Sequence, residues 1–318
     1  MKKRLLQCLS LVLCAALLTL PALAAEGESA PAAKGGPVRV WGTLTRLDDG
    51  GLLVENPNEN DPLHEVILRG EEILCLDAVT GVPLDLAGLK NGDTVYAWVE
   101  PVMLLSLPAQ ATAILVLGNI PADYAVPQFY EISSVTPQAM IAIYPPPALT
   151  WTEVAATDGT VLKITDEAEL TPYLTKNIVR LEDLIPGTRI LVWKNEDGSV
   201  ARTLVFPYTY AGYVSWTEDG TVVVNGTAVE RKARMTEADG ALLPIRAVAE
   251  VLGLSVRWDG TQGAVVSQNG KTVLVARPGG QVLDADGAAL GGACVKEAGV
   301  TYLSAQVLLQ ALNLFHAG

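Results

Sequence analysis

Two hydrophobic periods divide the chain. From residue 38 to about residue 220, apolar and polar positions alternate in short runs. Turn pairs cut these runs at Asp49-Gly50, Asn91-Gly92, Asp158-Gly159, Asp197-Gly198 and Asp219-Gly220. Turn signals of that density between period-2 runs predict antiparallel sheet, not alternating β-α units. Residues 241–260, ALLPIRAVAEVLGLSVRWDG, change the period. Ile245, Val248, Ala249 and Leu252 make one helical stripe, Pro244 suits a first helical position, and Gly253 supplies the stop. Leu254, Val256 and Trp258 then alternate with Ser255 and Arg257 as in a half-buried strand, and Asp259-Gly260 turns the chain. A short helix packed on a hairpin is the expected result.

The fold class expected is mainly β with a C-terminal α+β module. Two small antiparallel β-barrel-like modules of OB type occupy residues 38–122 and 123–209, and an antiparallel sheet packed on a helix occupies 211–318. The two front modules look duplicated. Leu86, Leu89, Gly92, Val95 and Trp98 match Leu181, Leu184, Gly187, Ile190 and Trp193, each 95 positions later. In each copy the leucines anchor a one-turn element, the glycine bends the chain, and the tryptophan packs as core or rim. The C-terminal module carries an echo of its own. TYLSAQVLLQALNL follows ALLPIRAVAEVLGL by 60 positions, so Leu243 aligns with Leu303, Val248 with Leu308, Leu252 with Leu312 and Leu254 with Leu314. Ser304, Gln306 and Asn313 replace Pro244, Arg246 and Gly253, so the stripe survives while the signature does not.

VVVNG at 222–226, LPIRAVAEVLG, VRWDG and Asn269-Gly270-Lys271 come in an order that resembles the copper amine oxidase N-terminal-like domain of bacterial envelope proteins. The resemblance covers roughly the last third of the chain. It implies a small antiparallel sheet wrapped on a helix, an accessory module without catalysis of its own, and it licenses no copper.

The N-terminus has an address. Lys2, Lys3 and Arg4 precede a leucine-rich run to Leu20, and Ala22-Leu23-Ala24 follows, the pattern of a secretory signal over residues 1–24. Left uncleaved, the run would be nearly long enough to span a membrane; cleaved, it leaves no stable span. Leu13 stands before Cys14 where a lipobox needs a small residue, so lipidation is not expected. Residues 25–37, rich in Gly, Ala, Ser and Pro, form a flexible lead-in. Pro145-Pro146-Pro147 reads as a rigid loop.

Charge narrows the partners. Loss of the signal's three cations takes the formal net from -13 to near -16. That sign disfavours nucleic acid, whose binding depends on Lys and Arg neutralising phosphates. It also disfavours simple adhesion to polyanionic wall polymers. Residues 226–260 are the exception: Arg231, Lys232, Arg234, Arg246 and Arg257 balance Glu230, Glu237, Asp239, Glu250 and Asp259, a neutral island in an acidic chain.

Candidate chemistry is sparse. Cys75 and Cys294 remain after the signal and read as small buried apolar residues, not a disulfide framework. The only histidines are His64, in a polar loop, and His316, where fraying is expected. Three or four His or Cys ligands for zinc or copper are missing, so no metal or cofactor is expected. Ser106 has no histidine beside it in sequence, and neither a nucleophile elbow nor a phosphate loop occurs. Asp284, Asp286 and Gly287 imitate part of a calcium loop, but Val282 and Ala293 fall where carboxylates are required, and DADG fits a hairpin turn instead.

No catalytic residue is assigned. The leading expectation is an exported, non-catalytic envelope protein, secreted or associated with the cell wall. It would serve as a stalk, interaction or wall-binding module for a cell-wall glycan or another envelope protein. Arg246, Arg257 and Trp258 are the contact residues, although Arg246 also has Glu250 one turn on to pair with. Trp41, Trp151 and Trp216, near module edges, would stack on a glycan if exposed. The alternatives are a secreted hydrolase of wall polysaccharide working through paired carboxylates, and an inhibitor-like module that recognises a polypeptide by an open sheet edge.

Overall fold

The computed structural model describes residues 36–104, 106–141 and 148–317. The signal, most of the lead-in and the triple proline lie outside these residues. Among the described residues the fold is mainly β with two short helices, and neither is long and apolar enough to cross a membrane.

The first six strands are β1 (Val38–Arg46), β2 (Leu52–Glu55), β3 (Glu65–Arg69), β4 (Leu74–Asp77), β5 (Thr94–Leu104) and β6 (Ala109–Gly118). β1 lies between β2 and β5; β3 joins β2 on one side and runs parallel to β6 on the other, closing a barrel in the order β3-β2-β1-β5-β6. That closure by a parallel pair is the arrangement expected for a barrel of OB type. β4 extends β6 further along, again in parallel. Leu44, Val54, Val66, Leu68, Val95 and Val116 fill the interior. Gly42 lets β1 cross close over β2, where a Cβ would collide with the Glu55 carbonyl.

The next six strands are β7 (Gln128–Ile141), β8 (Ala148–Ala156), β9 (Val161–Thr165), β10 (Glu169–Pro172), β11 (Arg189–Lys194) and β12 (Val200–Val205). Their order, β9-β8-β7-β11-β12-β10, repeats that of β1 to β6 position for position, with β10 parallel to β12 as β4 is to β6. Among the described residues β9 and β12 form no ladder, so this sheet is a half-barrel.

The matched sequence positions occupy matched places. One-turn 3-10 elements at Leu86–Gly88 and Leu181–Asp183 lead into β5 and β11, and Gly92 and Gly187 take φ of 95° and 86°. Val95 and Ile190 point into their own barrels. Trp98 and Trp193, three residues further on, face the opposite side of the sheet. There they meet Leu117, Phe129, Leu191 and Phe206 in an apolar layer shared by the barrel and the half-barrel. Across it Trp193 Nε1 donates to the Ala78 carbonyl at 2.9 Å, and the Arg202 guanidinium lies 3.7 Å from the same ring.

The remaining chain forms one further core from three sheets and two helices. Its elements begin with β13 (Gly212–Trp216), β14 (Val222–Val224), β15 (Thr227–Ala228), β16 (Arg234–Thr236) and β17 (Gly240–Pro244). Helix α1 (Ile245–Val251) follows, then β18 (Ser255–Asp259), β19 (Gly263–Gln268), β20 (Lys271–Ala276), β21 (Val282–Asp284) and β22 (Ala289–Leu290). The chain finishes with β23 (Cys294–Glu297), β24 (Val300–Ser304), helix α2 (Ala305–Leu312) and β25 (Leu314–His316).

The sheet β16-β17-β24-β23 is symmetric about its centre, where Leu243 pairs with Leu303, the same two residues that the 60-position echo aligns. Equivalent residues can face each other across an antiparallel pair only if a local two-fold axis passes between them. DADG is indeed a hairpin turn, with Asp284 Oδ1 accepting from the N–H groups of Asp286 and Ala288. α1 starts one residue later than the proline pattern predicts, because Pro244 stays extended as the N-cap. It ends as predicted. Gly253, at φ 73°, donates to the Glu250 carbonyl, and Leu254 to that of Ala249, the paired bonds of a Schellman stop.

α2 stops at Asn313 instead, with φ 50°, and its side chain donates to the Thr209 carbonyl. An asparagine replaces the glycine there because it tolerates the left-handed turn and also ties the helix end to the linker. Next to it β25 pairs in parallel with β13, and Phe315 packs on Tyr210 and against Gly187. His316 is therefore held within a strand, stacked on Trp216 with ring centroids 3.9 Å apart, and the expectation of a frayed end is corrected.

Candidate functional site

The two-fold resemblance within the C-terminal module fails at one place. In the second half, β25 pairs directly with β13. In the first half, the hairpin of β18 and β19 puts an additional strand on β20, so β18 becomes the outer strand of its sheet. Overhanging the core, β18 keeps only Val256 packed against it. Trp258, which alternation predicts on the buried face, is 45% exposed. That is a correction with a physical cause: the face that would bury Trp258 extends past the edge of the core.

A groove of about 660 Å³ opens along this overhang, bounded by α1, β18, the segment after β15, and the hairpin of β23 and β24. Arg246, Arg257 and Trp258 all line it. α1 contributes Arg246, whose Nη1 is 3.4 Å from Glu250 Oε1, the pairing expected one turn on. From β18 comes Arg257, 3.2 Å from Asp259 Oδ2. Both pairs are exposed and are worth little to stability. β23 provides a residue that the sequence did not single out, Lys296, whose Nζ lies 3.5 Å from the Trp258 ring centroid. Such a cation over an indole face holds the ring in place. Arg231, from the neutral island, is the fourth cation of the lining, against the carboxylates of Glu230 and Glu250. Among the described residues neither Arg231 nor Lys296 has a carboxylate within ion-pair distance. Nothing in the local sequence marks Lys296, since it reaches Trp258 only through the pairing of β23 with β24.

Other candidate positions resolve as structure. Trp41 stacks on Tyr96 at 5.6 Å, Trp151 lies under the Lys163 ammonium at 4.4 Å, and Trp216 carries His316, so each of these three rings already has a neighbour on a face. Cys75 and Cys294 are buried, unpaired in any disulfide, and burial pushes both thiols up to about 11. His64 Nδ1 is 2.9 Å from the Asp61 carbonyl in its loop, and Ser106 Oγ donates to the Pro108 carbonyl. Among the described residues no three His, Cys, Asp or Glu side chains cluster closely enough to hold a metal ion.

The carboxylates whose titration the structure moves all move down. A hydrogen bond from Arg69 lowers Asp49 to about 2, and the backbone N–H groups of Gln262 and Thr261, with Arg257, lower Asp259. Asp197 and Asp219 fall through hydrogen bonds from Ser199 and from Thr217 and Lys232. Burial works against the charge of Asp77, but hydrogen bonds from Thr80, Asn119 and Val79 outweigh it. With Arg231, Arg246, Arg257, Lys296 and Trp258 in its lining, the groove is equipped to hold an anion through its cations and a flat or apolar group through the indole.

No curated protein and no solved structure matches the chain significantly. A family model described as the copper amine oxidase N-terminal domain matches residues 223–315, from the end of β14 into β25. The C-terminal third, which builds the groove, is thereby similar to the copper amine oxidase N-terminal domain over the matched residues.

Proposed function

We propose that this protein is an exported, non-catalytic component of a bacterial cell envelope, built as a stalk of a closed β-barrel and a half-barrel of matching strand order that carries a C-terminal binding module. The stalk is stiffened by the apolar layer that the barrels share around Trp98 and Trp193. It is also tied to the C-terminal module. Arg189 on β11 bonds Glu131 at 2.7 Å and approaches Glu100 of the first barrel at 3.6 Å, while Tyr210 donates to the same Glu131 at 3.4 Å.

One observation carries the binding role: in a chain of formal net charge -13, four cations and an exposed tryptophan line a single groove, and two of those cations lack a carboxylate partner among the described residues. An anionic chain of the envelope is the ligand of complementary charge.

Calorimetric titration of the chain from residue 25 with poly-L-glutamate and with polygalacturonate, two anionic polymers of different chemistry, tests this. Both should bind, and Arg231→Glu with Lys296→Glu should weaken both by about tenfold or more. Equal binding by the wild type and the double variant, or no binding of either polymer, would contradict the reading.

A further inference from the structure

The groove meets β18 at its edge. Side chains along a strand alternate between faces, so Val256 and Trp258 project to one side of β18 and Arg257 to the other, yet all three line the same groove. A cavity lined from both faces of an outer strand runs along that strand's rim. The side of β18 away from β19 carries no strand among the described residues. An outer strand presents backbone N–H and C=O groups able to receive another strand.

From this juxtaposition we infer that the occupant of the groove is an extended acidic polypeptide segment, which adds to β18 as a further strand and places its carboxylates among Arg231, Arg257 and Lys296. The inference rests on the anion-binding role proposed above and names the partner's class. A glycan could satisfy the cations, but only a polypeptide backbone also satisfies a ladder of strand groups. Charge selects within that class. Arg257 on the rim, with Arg231 and Lys296 beside it in the lining, repels a basic segment and attracts an acidic one. Trp258 and Val256 offer an apolar surface for the side chains that alternate with the carboxylates.

The test uses the chain from residue 25 and a synthetic peptide of about eight residues in which Glu and Val alternate. Its control is the same peptide N-methylated at alternate residues, which keeps every charge and side chain but removes ladder donors on one edge; both N-methylation registers are made. Affinity is measured by calorimetry, and amide exchange of residues 255–259 by mass spectrometry. The proposal predicts that the parent peptide binds and slows exchange in β18. One of the two methylated registers should bind about tenfold more weakly or worse, and Arg231→Glu with Lys296→Glu should abolish the effect.

If both methylated registers bind as tightly as the parent, with exchange in β18 unchanged, strand addition is overturned while the anion-binding groove stands. Failure of the peptide to bind while polygalacturonate binds also overturns it and points to a glycan. Failure of every polyanion overturns both.

Discussion

Trp193 shows how one side chain can serve two modules. Its indole is buried in the layer between the barrels, its N–H satisfies the Ala78 carbonyl, and Gly81 leaves room for its ring, since a Cβ there would press on it at 2.9 Å. Replacing Trp193 with Phe keeps most of the apolar contact and leaves a buried carbonyl without its donor, a loss of about 1–3 kcal/mol. A urea melt should show the midpoint fall with an unchanged slope. A loss below about 0.5 kcal/mol would mean that water replaces the bond. Trp258 is the contrasting case. Half-exposed on an overhanging strand and covered on one face by Lys296, it contributes to a surface and not to a core. Its exposure could not be read from alternation, which predicts the face a residue takes but not how far the core extends beneath that face.

At the level of elements, the helices, hairpins and one-turn lead-ins were legible because each is written in local chemistry. Gly253 stops α1 where the sequence says it should, and Gly92 and Gly187 bend the chain ahead of β5 and β11. The matching strand order of the two front sheets was legible only in outline, since five matched positions cannot say that one sheet closes and the other does not. Least legible was the groove. Arg246, Arg257 and Trp258 stand close in sequence, but Lys296 arrives from a strand some forty residues on, and the open edge of β18 depends on one additional hairpin.

A pH prediction belongs to this scale, because Asp49, in the turn between β1 and β2, pairs with Arg69 on β3 at 2.7 Å and so ties the first hairpin to the strand that closes the barrel. Its carboxyl is held at about 2 against an ordinary 3.8. A lowered carboxylate stabilises the fold in full above the ordinary value and loses that contribution as pH falls through the lowered one. Melting temperature should therefore drop between about pH 4 and pH 2, and Asp49→Asn should melt lower at pH 7 while showing a shallower acid slope. An unchanged slope in the variant would assign the acid sensitivity elsewhere.

At the scale of the whole molecule, an acidic chain presents a cationic groove. The barrels share a core, and the C-terminal module is fastened to the second barrel through Phe315, Tyr210 and Asn313. The anchored edge lies at β25 and the open edge at β18, the two strands that follow equivalent helices. One half of the pseudo-symmetric module is thus used to hold the chain together, and in our account the other half is left to hold a partner. The most direct measurement is co-sedimentation of the chain from residue 25 with washed bacterial envelopes across a salt series, beside the variant carrying Arg231→Glu and Lys296→Glu. The account predicts that the wild type pellets at low salt and is released as salt screens the groove, while the variant stays in the supernatant throughout. Equal pelleting of the two proteins, or a wild type that never pellets, would contradict it.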